Sequence, residues 1–306
     1  IKQIRFLTVS DENTRILKML KGEADVYQYN FNPAMIPLLE KQSHLRLINV
    51  PSSDCTYIVI NFRDPILSQP LIRKAIAYAI NKPAIIQYKF YEKAVVADSL
   101  LDPKHWAYLE GNEQYHYSPQ TANRLLDEAG FFRNEKNKNM RFPLSLKTST
   151  NRIIRSVALI LREQLREVGI DLQVESSEFK TFFHQIGHGN FQMGILTWTP
   201  VIDPHLYAFV FHSKMIPSHE NQYSGANRGA YINQDLDNLL DKAGKESRVD
   251  VRREYYRQVQ SIVTKELPYI YLWHNDRMAI IKKNLGGYEL SRHGFFSPLV
   301  NVTLGH

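Results

Sequence analysis

The chain has one cysteine, Cys55, among 306 residues. That excludes a disulfide framework and a thiolate metal cage, and it is compatible with either an oxidising or a reducing compartment. No apolar run approaches the ~20 residues that a membrane helix needs. A G-x-S-x-G nucleophile elbow and a Walker phosphate loop are both absent, and Cys55 lacks a local catalytic signature. The Gly187-His188-Gly189 triplet is not followed by the glycine that a dinucleotide fingerprint requires. An initiator Met and a signal-peptide apolar core are missing too. Ile1 opens directly into "IKQIRFLTVS", an alternating strand-like pattern, so the chain reads as a piece of a longer protein. No internal repeat at solenoid periods occurs.

What is present is an ordinary globular balance, 43% hydrophobic and 23% charged, with length enough for two compact lobes. The net charge of +7 is interleaved with acids, as where Arg152, Arg155, Arg162 and Arg166 alternate with Glu163 and Glu167, which reads as a solvated surface. The clearest rhythm is an amphipathic helix, a glycine stop and an apolar strand. In "TRILKMLKGEADVYQY", Ile16, Leu17 and Leu20 share a face, Gly22 caps and Val26 opens a strand. In "SPQTANRLLDEAGFF", Ser118 is the N-cap and Pro119 the first helical residue. Ala122, Leu125, Leu126 and Ala129 form the stripe, and Gly130 ends it. In "NRIIRSVALILREQLREVGIDLQVES", Ile153, Val157, Ile160, Leu161, Leu165 and Val168 repeat at helical spacing up to Gly169, and Ile170, Leu172 and Val174 alternate as a strand. Further helices are expected from Pro70 and over 249–267, the latter ended by Pro268. Alternation of this kind predicts an α/β class. Residues 133–143 and 214–229 are polar and turn-rich and read as surface loops.

The chemistry-bearing residues do not form a catalytic set. His184 and His188 share a helix face, but Gln185 stands where a zinc protease needs its glutamate, so they read as a solvated pair. His205, His212 and His219 are candidate transition-metal ligands by type alone. Asp127, Glu128, Asp235 and Asp237 read as acids on helix faces. Arg248, Arg252, Arg253 and Arg257 with Tyr255 and Tyr256 resemble a nucleic-acid surface, yet Val251, Tyr255, Val259 and Ile262 make a buried stripe on that helix, leaving the arginines as its wet face. No metal, cofactor or nucleic acid is expected.

With these spacings in hand, the chain resembles the family 5 extracellular solute-binding proteins of ABC importers, the oligopeptide-, dipeptide- and nickel-binding group. The resemblance is carried in order by "GEADV", "VINFRDPILSQPLIRKAIAYAINKPAII", "YSPQTANRLLDEAGF", "LREQLREVGIDLQV", "GANRGAYINQDLDNLLDKAGKE", "RREYYRQVQSIVTKELPYIYLW" and "NLGGYEL". It implies an α/β, two-lobed periplasmic-binding-protein fold of the type II, clamp-like kind, with one lobe complete and the other incomplete. Residues 1–55 would end the N-terminal part of lobe I, 56–265 would form lobe II, and 266–306 would return to lobe I. The implied role is non-enzymatic: a periplasmic or cell-surface monomer that binds short peptides between the lobes and delivers them to a membrane permease. A binding protein for a nickel or haem-like chelate and the sensing domain of a transcription regulator remain alternatives.

"TWTPVIDPHLYAFVFHS" resembles the family's W-x-x-D-x-x-D-P loop, which lines the cleft and whose first aspartate pairs with a peptide's amino group. Here Thr199, Pro200, Val201 and Ile202 stand between Trp198 and Asp203, with no acid and one residue fewer. The resemblance therefore implies a binding loop, Trp198, Thr199, Val201 and Asp203, that does not recognise an amine. Trp198 is expected either to stack on a ligand or to be buried at a strand end. Arg228 faces a ligand carboxylate or is an exposed loop arginine, and Tyr223 is treated alike. Asn61 satisfies backbone groups at the crossing or contacts ligand.

Overall fold

The computed structural model describes residues 3–28, 31–135 and 139–304. The chain begins with helix α1 (Glu12–Leu20), strand β1 (Val26–Gln28), α2 (Ile36–Glu40), β2 (Leu45–Ile60), α3 (Pro70–Ala79), α4 (Lys82–Phe90) and β3 (Ala94–Val96). It continues through α5 (Pro119–Glu128), β4 (Phe142–Ser149), α6 (Arg152–Glu167), β5 (Ile170–Ser177), α7 (Phe179–Gly187) and β6 (Met193–Trp198). The last elements are α8 (Leu206–Phe211), α9 (Gln234–Lys245), α10 (Val249–Glu266), β7 (Tyr269–Lys282), β8 (Leu285–Gly286) and β9 (Thr303–Leu304).

Local chemistry sets the boundaries that matter. The Ser118 side chain accepts the Thr121 N–H at 3.2 Å to start α5, and Asn151 accepts from Ile153 and Ile154 at 3.0 and 3.2 Å to start α6. Gly130 and Gly169 stop these helices at φ +83° and +87°, a region that costs a side chain but not glycine. Helix α6 buries Val157, Ala158, Leu161 and Leu165, each large aliphatic contributing about 1.5–3 kcal/mol by leaving water. It carries the chain from β4 to the parallel strand β5, paired from Phe142↔Ile170 to Ser149↔Ser177.

The main sheet runs β1-β7-β2-β6-β4-β5, with β3 also on β7. Along β2 the side chains alternate between its two faces. Ile58 and Ile60 enter a core with Ile76, Leu161 and Trp273, while Tyr57 and Val59 enter another with Phe182, Tyr207 and Val259. Two smaller cores draw on residues 16–45 with 278 and 280, and on 279–302. The long β2–β7 pairing connects all four.

That pairing slips by one residue between Thr56↔Trp273 and Tyr57↔Tyr271, and more widely at its middle. Between Pro51↔Asp276 and Cys55↔His274, Ser52, Ser53 and Asp54 oppose Asn275 alone. Pro51 has no N–H for the ladder, and the serines offer the backbone other partners: Ser52 Oγ donates to the Asn275 carbonyl at 2.6 Å and accepts from the Asp54 N–H at 3.0 Å. The bulge turns Asp54 inward, where Arg277 Nη2 donates to both its oxygens at 2.8 and 3.1 Å.

Some expectations are corrected. Residues 3–10 form no strand; an alternating pattern needs a neighbouring strand, and none pairs with it among the described residues. In α1 the buried pair is Ile16 and Met19, and Leu17 is exposed. In α10 the stripe turns by one residue, to Tyr256, Val259, Gln260 and Val263. Its arginines are only partly a wet face: the Arg252 guanidinium lies over Trp106 and Tyr256. Asp237 is buried rather than on an open helix face, and accepts from the Ser213 N–H and hydroxyl. Of 214–229, the last five residues, Gly225 to Gly229, are buried.

Candidate ligand-binding site

Strand β6 ends at Trp198, and the loop that follows is fastened at each step. Thr199 Oγ1 donates to Asp54 Oδ1 at 2.7 Å and accepts from Arg277 Nη2 at 3.3 Å. The Val201 N–H donates to the Ser53 carbonyl at 3.1 Å, and its side chain is buried. The Ile202 carbonyl accepts from His105 Nε2 at 3.0 Å. This tautomer follows because His105 Nδ1 accepts the Ala107 N–H at 3.1 Å, and burial lowers the ring's proton affinity. Asp203 Oδ1 accepts from the His205 N–H and from Arg252 Nη2, at 2.7 and 2.9 Å. The loop is thus tied to the β2 bulge on one side and to α10 on the other.

Trp198 and Arg228 are brought together. The Arg228 guanidinium lies 4.6 Å from the Phe183 ring centroid and 5.7 Å from that of Trp198. Its charge also acts on Tyr57 and Tyr269, stacked at 4.0 Å, opposing the upward shift that burial gives both hydroxyls. Arg228 is only 9% exposed, so the open-loop alternative does not describe it. Its side chain makes no hydrogen bond or ion pair among the described residues, whereas a buried cation ordinarily has a counter-charge.

A packed turn fixes its place. Asn227 Nδ2 donates to the carbonyls of Phe211, His212 and Tyr231 at 3.1, 3.2 and 2.7 Å, and its Oδ1 accepts the Tyr231 N–H at 3.0 Å. A Cβ on Gly225 would stand 1.9 Å from the Met215 oxygen, and one on Gly229 2.2 Å from the Ile60 oxygen. Gly229→Ala is therefore expected to push the Arg228 backbone outward, costing about 1–3 kcal/mol of stability as read by urea unfolding, with ligand affinity lowered at the same time.

Asn61 and Tyr223 stand apart from this pair. Asn61 Nδ2 donates to the Gly189 and Phe191 carbonyls at 3.1 and 2.7 Å, and its Oδ1 accepts the Arg63 N–H at 3.1 Å. Tyr223 stacks on His188 at 4.0 Å, and His188 on His184 at 3.9 Å. His188 Nδ1 lies 2.9 Å from the His184 carbonyl, so the two rings are stacked rather than converging on a common point. His205 lies beside Tyr256, and His212 between Asp237 and Asp241. Among the described residues no group of three or more His, Cys, Asp or Glu is placed to hold a metal ion. Burial pushes the Cys55 thiol well above its usual range, away from nucleophile chemistry. Sequence reasoning misses Phe183, Tyr57 and Tyr269; the aromatic clusters "TFFHQ" and "LPYIYLW" are the signals of Phe183 and Tyr269, while Tyr57, within the apolar run "CTYIVI", has none.

Comparison with known proteins adds three kinds of likeness. Residues 1–215 match the model of the bacterial extracellular solute-binding proteins, family 5 Middle. The dipeptide-binding protein of Escherichia coli (strain K12) is 25% identical over 300 residues, covering 96% of this chain and 54% of that protein. The glutathione-binding protein GsiB of the same strain is 27% identical over 303 residues, covering 97% and 57%. The chain thus spans little more than half the length of these relatives. Among solved structures, the periplasmic binding protein DppA of Helicobacter pylori in complex with the peptide STSA superposes with a TM-score of 0.83 at 24% identity, over 98% of this chain and 56% of that one. The expected α/β binding-protein fold, present in part, is the fold observed. No helix among the described residues is long and apolar enough to cross a membrane.

Proposed function

We propose that this chain, which belongs to the bacterial extracellular solute-binding proteins of family 5, is the peptide-binding part of an importer component that captures short peptides and hands them to a membrane permease without chemical change. Arg228 carries the reading. A guanidinium withdrawn from water, flanked by two aromatic faces and left without an acid, is suited to a ligand carboxylate, while residues 199–202 carry no acid for an amine and Asp203 is already paired with Arg252. Trp198 and Phe183 then cover the ligand's apolar part. Thr199, Val201 and Asp203 hold the loop that presents Trp198, Asn61 supports the crossing, and Tyr223 flanks the turn that bears Arg228. The apolar clusters divide before residue 51 and after 277 from those between 55 and 273. That sorting favours a division into lobes at the β2–β7 bulge, about which a clamp would hinge.

The test is native mass spectrometry of the full chain as purified, followed by denaturation to release what it holds. A ladder of short-peptide masses is expected; a discrete metal chelate would overturn the peptide reading. Arg228→Gln is expected to weaken binding of a released peptide by about 10–100-fold, the scale of a hydrogen bond to a charged group, as measured by calorimetric titration. Unchanged affinity would remove Arg228 from the site.

A further inference from the structure

A cavity of about 270 Å³ lies between α3, the start of α4, the 96–98 and 113–117 segments and β7, and none of the loop 198–203 or the turn 225–229 lines it. Lys82 does. Lys82 is 6% exposed, and its ammonium borders the cavity with no hydrogen bond or ion pair among the described residues; the carboxylate that acts on it, through space, is Asp98. Asp98 also lines it. The Asp98 oxygens accept from the Tyr108 hydroxyl at 3.0 Å each and from Gln114 at 3.1 Å, neutral donors, so the cation that acts on Asp98 here is Lys82, out of direct contact. Ala77, Ile80 and Ile270 supply apolar wall, and Glu113 is an exposed lining residue.

We propose that this cavity binds a small zwitterion, a free α-amino acid with a compact apolar side chain, its carboxylate on Lys82 and its ammonium on Asp98. The charges select this class. A simple anion gives Lys82 a direct partner but meets Asp98 and Glu113; a simple cation does the reverse; a neutral molecule comes between the Lys82 and Asp98 charges and gives neither an ionic contact. Only a ligand with both charges and a short apolar body meets every wall, and the volume suits an amino acid rather than a peptide. The site is independent of the Arg228 cleft.

The experiment is calorimetric titration of the full chain with L-valine, isovalerate and isobutylamine, repeated on Lys82→Met and Asp98→Asn. Saturable binding of valine is expected, at least about tenfold tighter than either single-charge analogue and weakened at least about tenfold by each substitution. Lys82→Met should unfold at no lower temperature than the wild type, which separates loss of the site from loss of the fold. No saturable valine binding, or equal binding by wild type and Lys82→Met, would overturn the proposal. Bound peptides recovered from Lys82→Met would show that the cleft works regardless.

Discussion

Asp54→Ala is expected to destabilise the folded full chain by about 3–5 kcal/mol, the cost of leaving the other member of a buried ion pair without its counter-charge. Asp54 is 2% and Arg277 8% exposed. The carboxylate takes two hydrogen bonds from Arg277 and one from Thr199. Arg277 keeps only Nε to the Arg292 carbonyl at 3.1 Å and the Thr199 contact at 3.3 Å when the acid is gone, too little for a desolvated cation. Urea unfolding measures the loss. Asp54→Ala combined with Arg277→Met should recover most of it, because the stranded charge is removed with its partner. A loss within about 1 kcal/mol for the single substitution would mean that water reaches Arg277 and that the bulge is held by its backbone bonds. Because the same carboxylate anchors Thr199, Asp54→Ala should also loosen the loop behind Trp198 and weaken ligand binding beyond what stability explains.

That knot was invisible in the sequence, for a physical reason. Asp54 and Arg277 lie 223 positions apart, and a bulge that turns a side chain inward leaves no periodic trace. Features written in contiguous residues were legible: Ser118 with Pro119, the α6 stripe, and the glycine stops at Gly130 and Gly169 all sit where local φ, periodicity and capping chemistry place them. The α10 stripe was displaced by one residue because polar Gln260 is buried, its amide donating to the Ala107 and Tyr256 carbonyls at 2.7 and 2.9 Å. Satisfying a buried amide through backbone partners defeats any reading by hydropathy alone. The candidate site was half legible. Trp198 and Arg228 were marked by the loops that bear them, but Phe183 reaches them from α7 only through tertiary packing.

Lys82→Met is expected to stabilise the protein at pH 7, in contrast to most changes at buried positions. Burial pushes the ammonium from its ordinary 10.5 down to about 8, so that the charged form carries about 3 kcal/mol of destabilisation. The sign follows from proton binding. Below about pH 8 the lysine is protonated both folded and unfolded, and the full cost stands. Between about 8 and 10.5 the unfolded chain holds the proton that the folded one has lost, so stability rises with pH. Above 10.5 both are neutral and the cost is gone. Methionine has nearly the volume of lysine and no charge to desolvate. The gain over wild type should therefore be largest near pH 7 and shrink as pH climbs from 8 toward 10.5. Paired urea unfolding curves across that range isolate it, since every other titrating group is common to the two proteins. A difference independent of pH would mean that the ammonium is hydrated in place. A difference that closes at pH 7 when valine is added would follow from a ligand that stabilises only the wild type by occupying the cavity.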